Sequence, residues 1–334
     1  MWVPYLAKTE LPFAVIVRNP DGFEAAAAAV ESAPVVLAEG HTEMERLLAP
    51  SVTTVFYVNN ADRNNQVTRF EQLQHIQLGH GDSDKSTSST RTFRLFDRIY
   101  VAGQAGLERF DLSRSTIPPS AFSIVGRPQV EGISQEHGPI SRVPTPTVLY
   151  APTWRGDFDD SSHSSLPYAP DLISRLLERG CRVVFRPHPL TSRYAETKEA
   201  AAEIDRRLHA HSIASGTEHL FGAAAVTDLT LKECFNISHA MIADISAVIS
   251  DYLYSGKPIG AFIPTGSAGE QREDGWYLFT EDPKTWSQQL DSLLSSDPLR
   301  DERLRIRDHR LANAAILPPD QLFVDTARSH VLEA

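Results

Sequence analysis

The stretch from Met241 to Lys257, MIADISAVISDYLYSGK, sets the strongest constraint on the fold of this chain of 334 residues. It predicts a short buried strand over 241–243, a sharp turn at Asp244 and a helix that begins near Ser246. Such a strand–turn–helix unit is typical of α/β proteins. Its turn presents unpaired backbone N–H groups at the positive end of a helix dipole, an arrangement that binds phosphate. In the simpler alternative, Asp244 and Ser246 only cap the helix.

Strands alternate with helices along the rest of the chain, which predicts a doubly wound parallel sheet in each of two halves. The first half has six predicted strands, at residues 13–17, 34–38, 52–58, 75–78, 97–102 and 122–125. The first of them, FAVIV, is a continuous apolar run of the kind found in a central parallel strand. The second half has four predicted strands, at residues 148–151, 182–185, 241–243 and 258–262. Three helices are predicted after them, at residues 283–294, 299–312 and 319–331.

A proline-rich segment with few apolar clusters predicts a linker over residues 128–146. We therefore expect an N-terminal Rossmann-like domain over residues 1–127 and a C-terminal one over 147–334, which includes the C-terminal helices. Each is long enough to bury its own core. Ligands of open α/β sheets bind at the carboxyl ends of the strands, so we expect the site in a cleft between the two domains.

Composition and charge exclude several classes of protein. The net charge of −11 argues against a broad basic surface for nucleic acid. The two cysteines, Cys181 and Cys234, form no CxxC pattern, which argues against a disulfide framework or a structural zinc site and fits a reducing cytosol. No apolar run has the length of a membrane span, and the first residues lack the features of a signal peptide. We expect a cytoplasmic protein, and its being one piece of a longer, membrane-associated protein stays open.

Five segments near predicted strand and helix ends carry side chains suited to phosphate chemistry, and we expect all five to face one cleft. They are GHGDSDK at 79–85, APTWR at 151–155, RPHP at 186–189, the turn at 244–246, and the helix end with Asp251 and Lys257.

Two of these segments carry a histidine in a constrained position. His80 lies between two glycines, which permit close approach of a ligand, and a histidine there can take a proton from an attacking hydroxyl near neutral pH. His188 lies between two prolines, which fix the backbone, and beside Arg186 it suits contact with a phosphate. The alternatives are a surface histidine in a flexible loop and a rigid turn with an inert ring.

Cationic and acidic residues complete the candidate set. Arg155 follows Trp154 and could contact a phosphate while packed on the indole, or form only a surface salt bridge. Lys257 follows a glycine at a helix C-terminus, where the dipole alone favours a cation. Asp82 and Asp84 form a DxD triplet that could hold a divalent metal. Because so short a pattern often arises by chance, we expect no required metal or other cofactor.

In this order the segments resemble the CDP-glycerol glycerophosphotransferase family, which includes teichoic-acid primases and polymerases and related capsule polymerases. The matching pieces are HG at 80–81, YAPTWR at 150–155, RPHP at 186–189, ADISAV at 243–248, DY at 251–252 and KPI at 257–259. The resemblance implies a GT-B fold, meaning two Rossmann-like domains around a cleft. It also implies transfer of glycerol phosphate, or a related polyol phosphate, from a CDP-activated donor to a hydroxyl, with release of CMP.

The same resemblance implies roles for individual residues. The catalytic residues are then His80, the general base, and His188, next to the donor diphosphate. The implied substrate-binding residues are Gly81, Trp154, Arg155, Arg186, Asp244, Ser246, Asp251 and Lys257. The implied donor is CDP-glycerol or CDP-ribitol, held mainly by the C-terminal domain. The implied acceptor is a polyol phosphate or glycan, often lipid-linked in the family, which leaves peripheral contact with the inner face of the membrane open.

The sequence departs from the family pattern at three positions and leaves two other functions open. Asp82 follows the HG pair where the family commonly has Thr, and Ile245 and Ala247 stand where it commonly has Tyr and a second Ser. The backbone N–H groups of the turn remain available for phosphate. The other functions are a GT-B sugar transferase or epimerase that uses a UDP- or GDP-sugar, and a non-catalytic GT-B-like module that binds a polymer.

Overall fold

The computed structural model describes residues 2–48, 51–79, 91–112, 116–136, 138–155, 164–263 and 275–334. The described strands are β1 (Val15–Val17), β2 (Val35–Leu37), β3 (Thr54–Tyr57), β4 (Gln74–Gln77), β5 (Arg98–Val101), β6 (Phe122–Ile124), β7 (Thr147–Ala151), β8 (Arg182–Phe185), β9 (Ala240–Asp244), β10 (Ile259–Phe262) and β11 (Tyr277–Phe279).

The described helices are α1 (Val3–Ala7), α2 (Phe23–Ala29), α3 (His41–Leu47), α4 (Asp62–Asn65), α5 (Gln104–Leu112), α6 (Ala169–Glu178), α7 (Ala195–Ser215), α8 (Ala223–Val226), α9 (Leu231–Ile237), α10 (Ala247–Leu253), α11 (Trp286–Leu294), α12 (Arg300–Arg310) and α13 (Gln321–Glu333). Within the described ranges, no helix is both long and apolar enough to cross a membrane.

The chain divides into two compact units, Met1–Glu131 with Asp308–Ala334, and Gly132–Arg307. In the first unit β1 pairs with β2, and a second sheet has the order β3-β4-β5-β6. In the second unit one sheet has the order β11-β10-β9-β7-β8. The recorded strand pairings are parallel, which confirms the predicted α/β class with parallel sheets.

The prediction of a central strand at residues 13–17 is wrong. Only Val15–Val17 is extended, and within the described residues its partner is β2. The three side chains are half-buried rather than buried. An apolar run indicates that a segment is covered by neighbours, but it does not say how many strands flank it.

The C-terminal helix α13 belongs to the first unit, which differs from the predicted division at residue 147. Phe323 is fully buried, with its ring centroid 5.1 Å from that of Trp2 and 6.1 Å from that of Tyr100. The Tyr100 hydroxyl also lies 2.8 Å from Nδ1 of His330. Helical periodicity shows that α13 has an apolar face, but it does not show which sheet that face covers.

The three central strands of the second unit's sheet are deeply buried. Every residue of β7, β9 and β10 is buried, as expected for parallel strands covered on both faces. Tyr150 and Phe185 stack across neighbouring strands, with ring centroids 5.8 Å apart. Strand β11 was not predicted from the sequence.

We expect Phe323→Ala to lower the free energy of unfolding of the first unit by about 3–5 kcal/mol, because it removes a buried ring between Trp2 and Tyr100. The matched control is Leu332→Ala on the same helix, where the side chain is 69% exposed and the expected change is within about 0.5 kcal/mol. Urea unfolding measures both. Equal, small effects of the two variants would contradict the packing of α13 on this unit.

Candidate functional site

Three neighbouring strands of the second unit end at the same edge of its sheet, in the order β9-β7-β8. The register pairs Ala151 with Ala243, and Tyr150 with Phe185, so the three strand ends lie level. Neighbouring strands lie about 4.8 Å apart, so the loops that follow them meet at this carboxyl edge. The His188 N–H donates to the carbonyl oxygen of Pro152 at 3.2 Å, which joins two of these loops.

Asp244 ends β9, and its carboxyl group is fully buried. Oδ2 accepts the backbone N–H of Thr153 at 2.7 Å, and both carboxyl oxygens lie within 3.2 Å of the Ser165 nitrogen. Burial raises the pKa of Asp244 to about 7, while the hydrogen bonds from Ser165 and Thr153 favour the charged form. The side chain faces the protein, so Asp244 positions the chain on either side of residues 156–163 and presents no exposed oxygen to a ligand.

Ser246 occupies the N-cap position of α10, as the sequence predicts. Its hydroxyl makes no side-chain capping bond and lies 3.3 Å from the carbonyl oxygen of Asp244. Ile245, one of the departures from the family pattern, is buried and adds to the core. The strand–turn–helix unit therefore has its predicted form, and phosphate binding at its turn stays a prediction.

The side chains at the ends of β7 and β8 form a cluster of rings and guanidinium groups, which we call the aromatic ladder. Its members are Trp154, Arg155, His188, Arg193 and Tyr194. The Trp154 ring lies 6.2 Å from the His188 ring and 6.4 Å from the Tyr194 ring, and both pairs are nearly parallel. The Arg193 guanidinium lies 5.6 Å from the Trp154 ring centre, and that of Arg155 lies 5.5 Å from the Tyr194 ring centre.

His188 is exposed, and its tautomer is set by the backbone. Nδ1 accepts the N–H of Leu190 at 3.1 Å, so the neutral ring carries its hydrogen on Nε2. The proline on each side fixes the backbone that holds this arrangement. A donor N–H held in this way is suited to a phosphate oxygen.

Sequence reasoning did not select Arg193 and Tyr194. Arg193 ends the 3-10 turn Pro189–Arg193 and Tyr194 follows it, and this turn brings both residues back toward Trp154. The only signal in the sequence is an arginine and an aromatic residue a few positions after RPHP, and that pattern has no fixed spacing from which to predict a contact.

Arg186 is half-buried and supports the loop after α8. Its Nη1 group donates to the carbonyl oxygens of Ala225, in α8, and, at 2.8 Å, of Leu229 in the loop after it. This bond ties the end of β8 to the segment between α8 and α9. Arg186 thus has a structural contact at the carboxyl edge, and its predicted contact with a phosphate is untested.

The structure separates Lys257 from the other predicted residues. Lys257 precedes β10 and so lies at the amino edge of the sheet, because α10 runs back from the carboxyl edge. A strand of five residues spans about 16 Å. The buried ammonium donates to the carbonyl oxygens of Phe235 and Ser238, each at 2.8 Å, at the end of α9, and burial lowers the pKa of Lys257 to about 8. Its position makes it a helix-capping residue rather than a ligand contact.

The remaining predicted residues lie on α10 or outside the described part of the chain. Asp251 is half-buried on α10. His80, Gly81, Asp82 and Asp84 fall outside the described residues, so their predicted roles stay predictions. Among the residues that are described, no group of three or more metal-ligating side chains comes together.

A cavity of about 420 Å³ lies elsewhere on the second unit and contains none of the predicted site residues. Its lining residues are Pro167, Tyr168, Pro170, Asp171, Ser174, Arg207, Glu281, Pro283 and Trp286.

Comparison with known proteins gives a family match and a fold match. A family model described as CDP-Glycerol:Poly(glycerophosphate) glycerophosphotransferase matches residues 130–278, which include β7 to β10 and the aromatic ladder. No curated protein sequence matches the chain.

Three solved structures illustrate the fold match. The wall teichoic acid polymerase TagF has a TM-score of 0.60 at 15% identity, over 99% of this chain and 85% of that one. A putative UDP-N-acetylglucosamine 2-epimerase from Listeria monocytogenes has a TM-score of 0.64 at 11% identity, over 100% and 93%. HepE from Anabaena, in complex with UDP and glucose, has a TM-score of 0.53 at 11% identity, over 98% and 94%. At these identities the likeness shows the fold alone, and it confirms the predicted GT-B class.

The raised pKa of Asp244 predicts a stability that depends on pH. Because burial raises it from 3.8 to about 7, the folded state binds this proton more tightly than the unfolded chain does. The contribution of Asp244 to stability is complete below pH 3.8 and is lost as the pH rises through about 7. Relative to Asp244→Asn, the wild-type free energy of unfolding should fall over this range, by at most about 1.4 kcal/mol per pH unit. Urea titrations at several pH values measure it, and parallel pH profiles of the two proteins would contradict it.

Lys257→Met tests the separation of the two sheet edges. The variant removes the ammonium donor from the buried carbonyl oxygens of Phe235 and Ser238, and that of Phe235 still accepts the Ser238 hydroxyl at 2.9 Å, so we expect a loss of about 1–3 kcal/mol of stability. Donor-nucleotide affinity, measured by calorimetry at a temperature where the variant is folded, should match that of the wild type. A large loss of donor-nucleotide affinity in Lys257→Met, without a loss of folding stability, would show that Lys257 belongs to the binding site.

Proposed function

We propose that this chain, of which residues 130–278 match the CDP-glycerol:poly(glycerophosphate) glycerophosphotransferase family model, transfers a polyol phosphate from a CDP-linked donor. Glycerol phosphate is the proposed group, with ribitol phosphate as its nearest variant. The proposed acceptor is a hydroxyl of a teichoic-acid-like or capsule-like polymer, and CMP is the leaving group. A lipid-linked acceptor would bring the reaction to the inner face of the cell membrane.

The observation that carries this proposal is the convergence of Trp154, Arg155 and His188 at the carboxyl edge of the second unit. Open α/β sheets bind ligands at that edge. A guanidinium group and an oriented imidazole N–H are the groups that hold phosphate oxygens. The family match covers the same strands and loops.

The proposed chemistry is a displacement at phosphorus. The acceptor hydroxyl oxygen attacks the phosphorus that carries the polyol, and the bond from that phosphorus to the bridging oxygen of the diphosphate breaks. His80 takes the hydroxyl proton as general base. Nε2–H of His188 donates to a diphosphate oxygen and stabilises the negative charge that develops on CMP.

Buried residues support these contacts without touching the ligand. Asp244 holds Thr153 and therefore the start of the loop that carries Trp154 and Arg155. Such rigid support matters because displacement at phosphorus depends mainly on position and on preorganised charge.

A second candidate is a sugar-nucleotide enzyme, favoured by the fold likeness to a putative UDP-N-acetylglucosamine 2-epimerase. Cytidine, uridine and guanosine diphosphates distinguish the two in a thermal-shift series at equal concentrations. The polyol-phosphate proposal expects the largest shift with the cytidine nucleotide. A larger shift with UDP would favour the second candidate.

Release of CMP from CDP-glycerol or CDP-ribitol in the presence of acceptor tests the proposal directly. We expect His188→Ala to lower kcat/KM by roughly 100-fold or more, because it removes a charge-stabilising donor. His80→Ala should abolish turnover while donor binding is largely kept. The matched control is His209→Ala, which changes an exposed histidine of α7 and should leave the rate unchanged.

Two outcomes would contradict the proposal or one of its parts. The wild-type protein's failure to release CMP from either donor, across several acceptors, would overturn the proposed function. Unchanged turnover in His80→Ala would show that His80 is not the general base. The His188→Ala variant would then be the test of the site at the carboxyl edge.

A further inference from the structure

Arg193 and Tyr194 extend the carboxyl-edge site beyond the residues that family motifs supply. Arg193 is exposed, and its guanidinium lies over the ring of Trp154. Tyr194 is half-buried, and its ring carries the guanidinium of Arg155. The two rings are nearly parallel, with an angle of 13° between their planes. Two cations are thus held on two rings beside His188.

A buried side chain, that of Thr197, holds the backbone around Arg193 and Tyr194 in place. The hydroxyl of Thr197 is buried and donates to the carbonyl oxygen of Thr191 at 2.6 Å. The same hydroxyl lies 3.2 Å from the carbonyl oxygen of Tyr194. These bonds hold the end of the 3-10 turn against the first turn of α7. The two ladder residues therefore project from a rigid segment and lose little freedom when a ligand binds.

The charge at this place contrasts with that of the whole protein. The chain has a net charge of −11, yet two guanidinium groups lie within one cluster here. Glu196 contacts Arg155 at 3.4 Å, and both side chains remain exposed to solvent, so the pair is weak. The rings place both guanidinium groups beside His188, and the planar fork of a guanidinium matches two phosphate oxygens.

We propose that Arg193 binds a phosphate-ester oxygen of the substrate and that Tyr194 keeps Arg155 in place for the same anion. This inference rests on the proposed function, because it assigns a further residue to the same site. The shared ligand chemistry is a phosphate ester, which comes either from the diphosphate of the donor or from a phosphodiester of the acceptor. Arg193 is then a specificity-determining residue that favours phosphorylated substrates.

Calorimetric binding of inorganic pyrophosphate to the full chain tests the anion site without any turnover. Arg193→Ala should weaken this binding about tenfold, because it removes one charge-assisted contact. Arg193→Lys keeps the charge but loses the planar fork, so an intermediate loss is expected. The matched control is Arg206→Ala, which removes another exposed cation, about 16 Å from the start of α7.

Tyr194 provides a second variant that separates binding from folding. Tyr194→Phe keeps the ring under Arg155 and should bind pyrophosphate as the wild type does. Tyr194→Leu removes the ring and should weaken binding several-fold. If the ring has a structural role alone, Tyr194→Leu should lower stability without changing the salt dependence of pyrophosphate binding. The proposal expects that salt dependence to be shallower in Tyr194→Leu, because Arg155 is no longer held at the anion.

Steady-state kinetics then identify the source of the phosphate. If Arg193→Ala raises the KM for CDP-glycerol, the contact belongs to the donor. If it raises only the KM for a phosphorylated acceptor, the contact belongs to the acceptor. Arg193→Ala that matches Arg206→Ala in pyrophosphate affinity and in both KM values would overturn the inference. If CMP is never released but pyrophosphate binding falls in Arg193→Ala, the proposed function fails and the anion site stands.

Discussion

The hydrogen bonds of the buried Asp244 carboxyl group hold the candidate site together. They join the end of β9 to Thr153, 91 positions earlier in the sequence, and to Ser165. Ser165 in turn lies 2.7 Å from the hydroxyl of Tyr150, a buried residue of β7. Strand pairing brings β9 and β7 side by side, but it does not orient the loop that follows β7. The Asp244 carboxyl group supplies that orientation, and the loop carries Trp154 and Arg155.

Apolar runs predicted most strands within one or two residues, because burial on both faces leaves a clear pattern in a parallel sheet. The sequence did not predict which strands pair with one another. The run at residues 13–17 was apolar enough for a central strand, yet β1 pairs with β2. Helix α13 has an apolar face, but the sheet it covers belongs to the first unit. Both depend on which distant segments meet, and local patterns carry no such information.

The site shows the same division between local and distant information. The meeting of Trp154, Arg155 and His188 at one edge of the sheet was predictable, because each lies within four residues of a strand end. Lys257 was grouped with them because it follows a helix that starts at the site, although that helix ends at the opposite edge of the sheet. The inward direction of the Asp244 side chain follows from backbone partners that lie far away in the sequence. Tyr194 meets Trp154 only through the 3-10 turn before it.

A crystal structure of the protein soaked with CDP-glycerol is the most direct test of the account. It predicts that the diphosphate lies at the carboxyl edge of the second unit, with one phosphate oxygen within hydrogen-bond distance of Nε2 of His188. Density for the nucleotide in the cavity between Tyr168 and Trp286, or at the amino edge near Lys257, would contradict it.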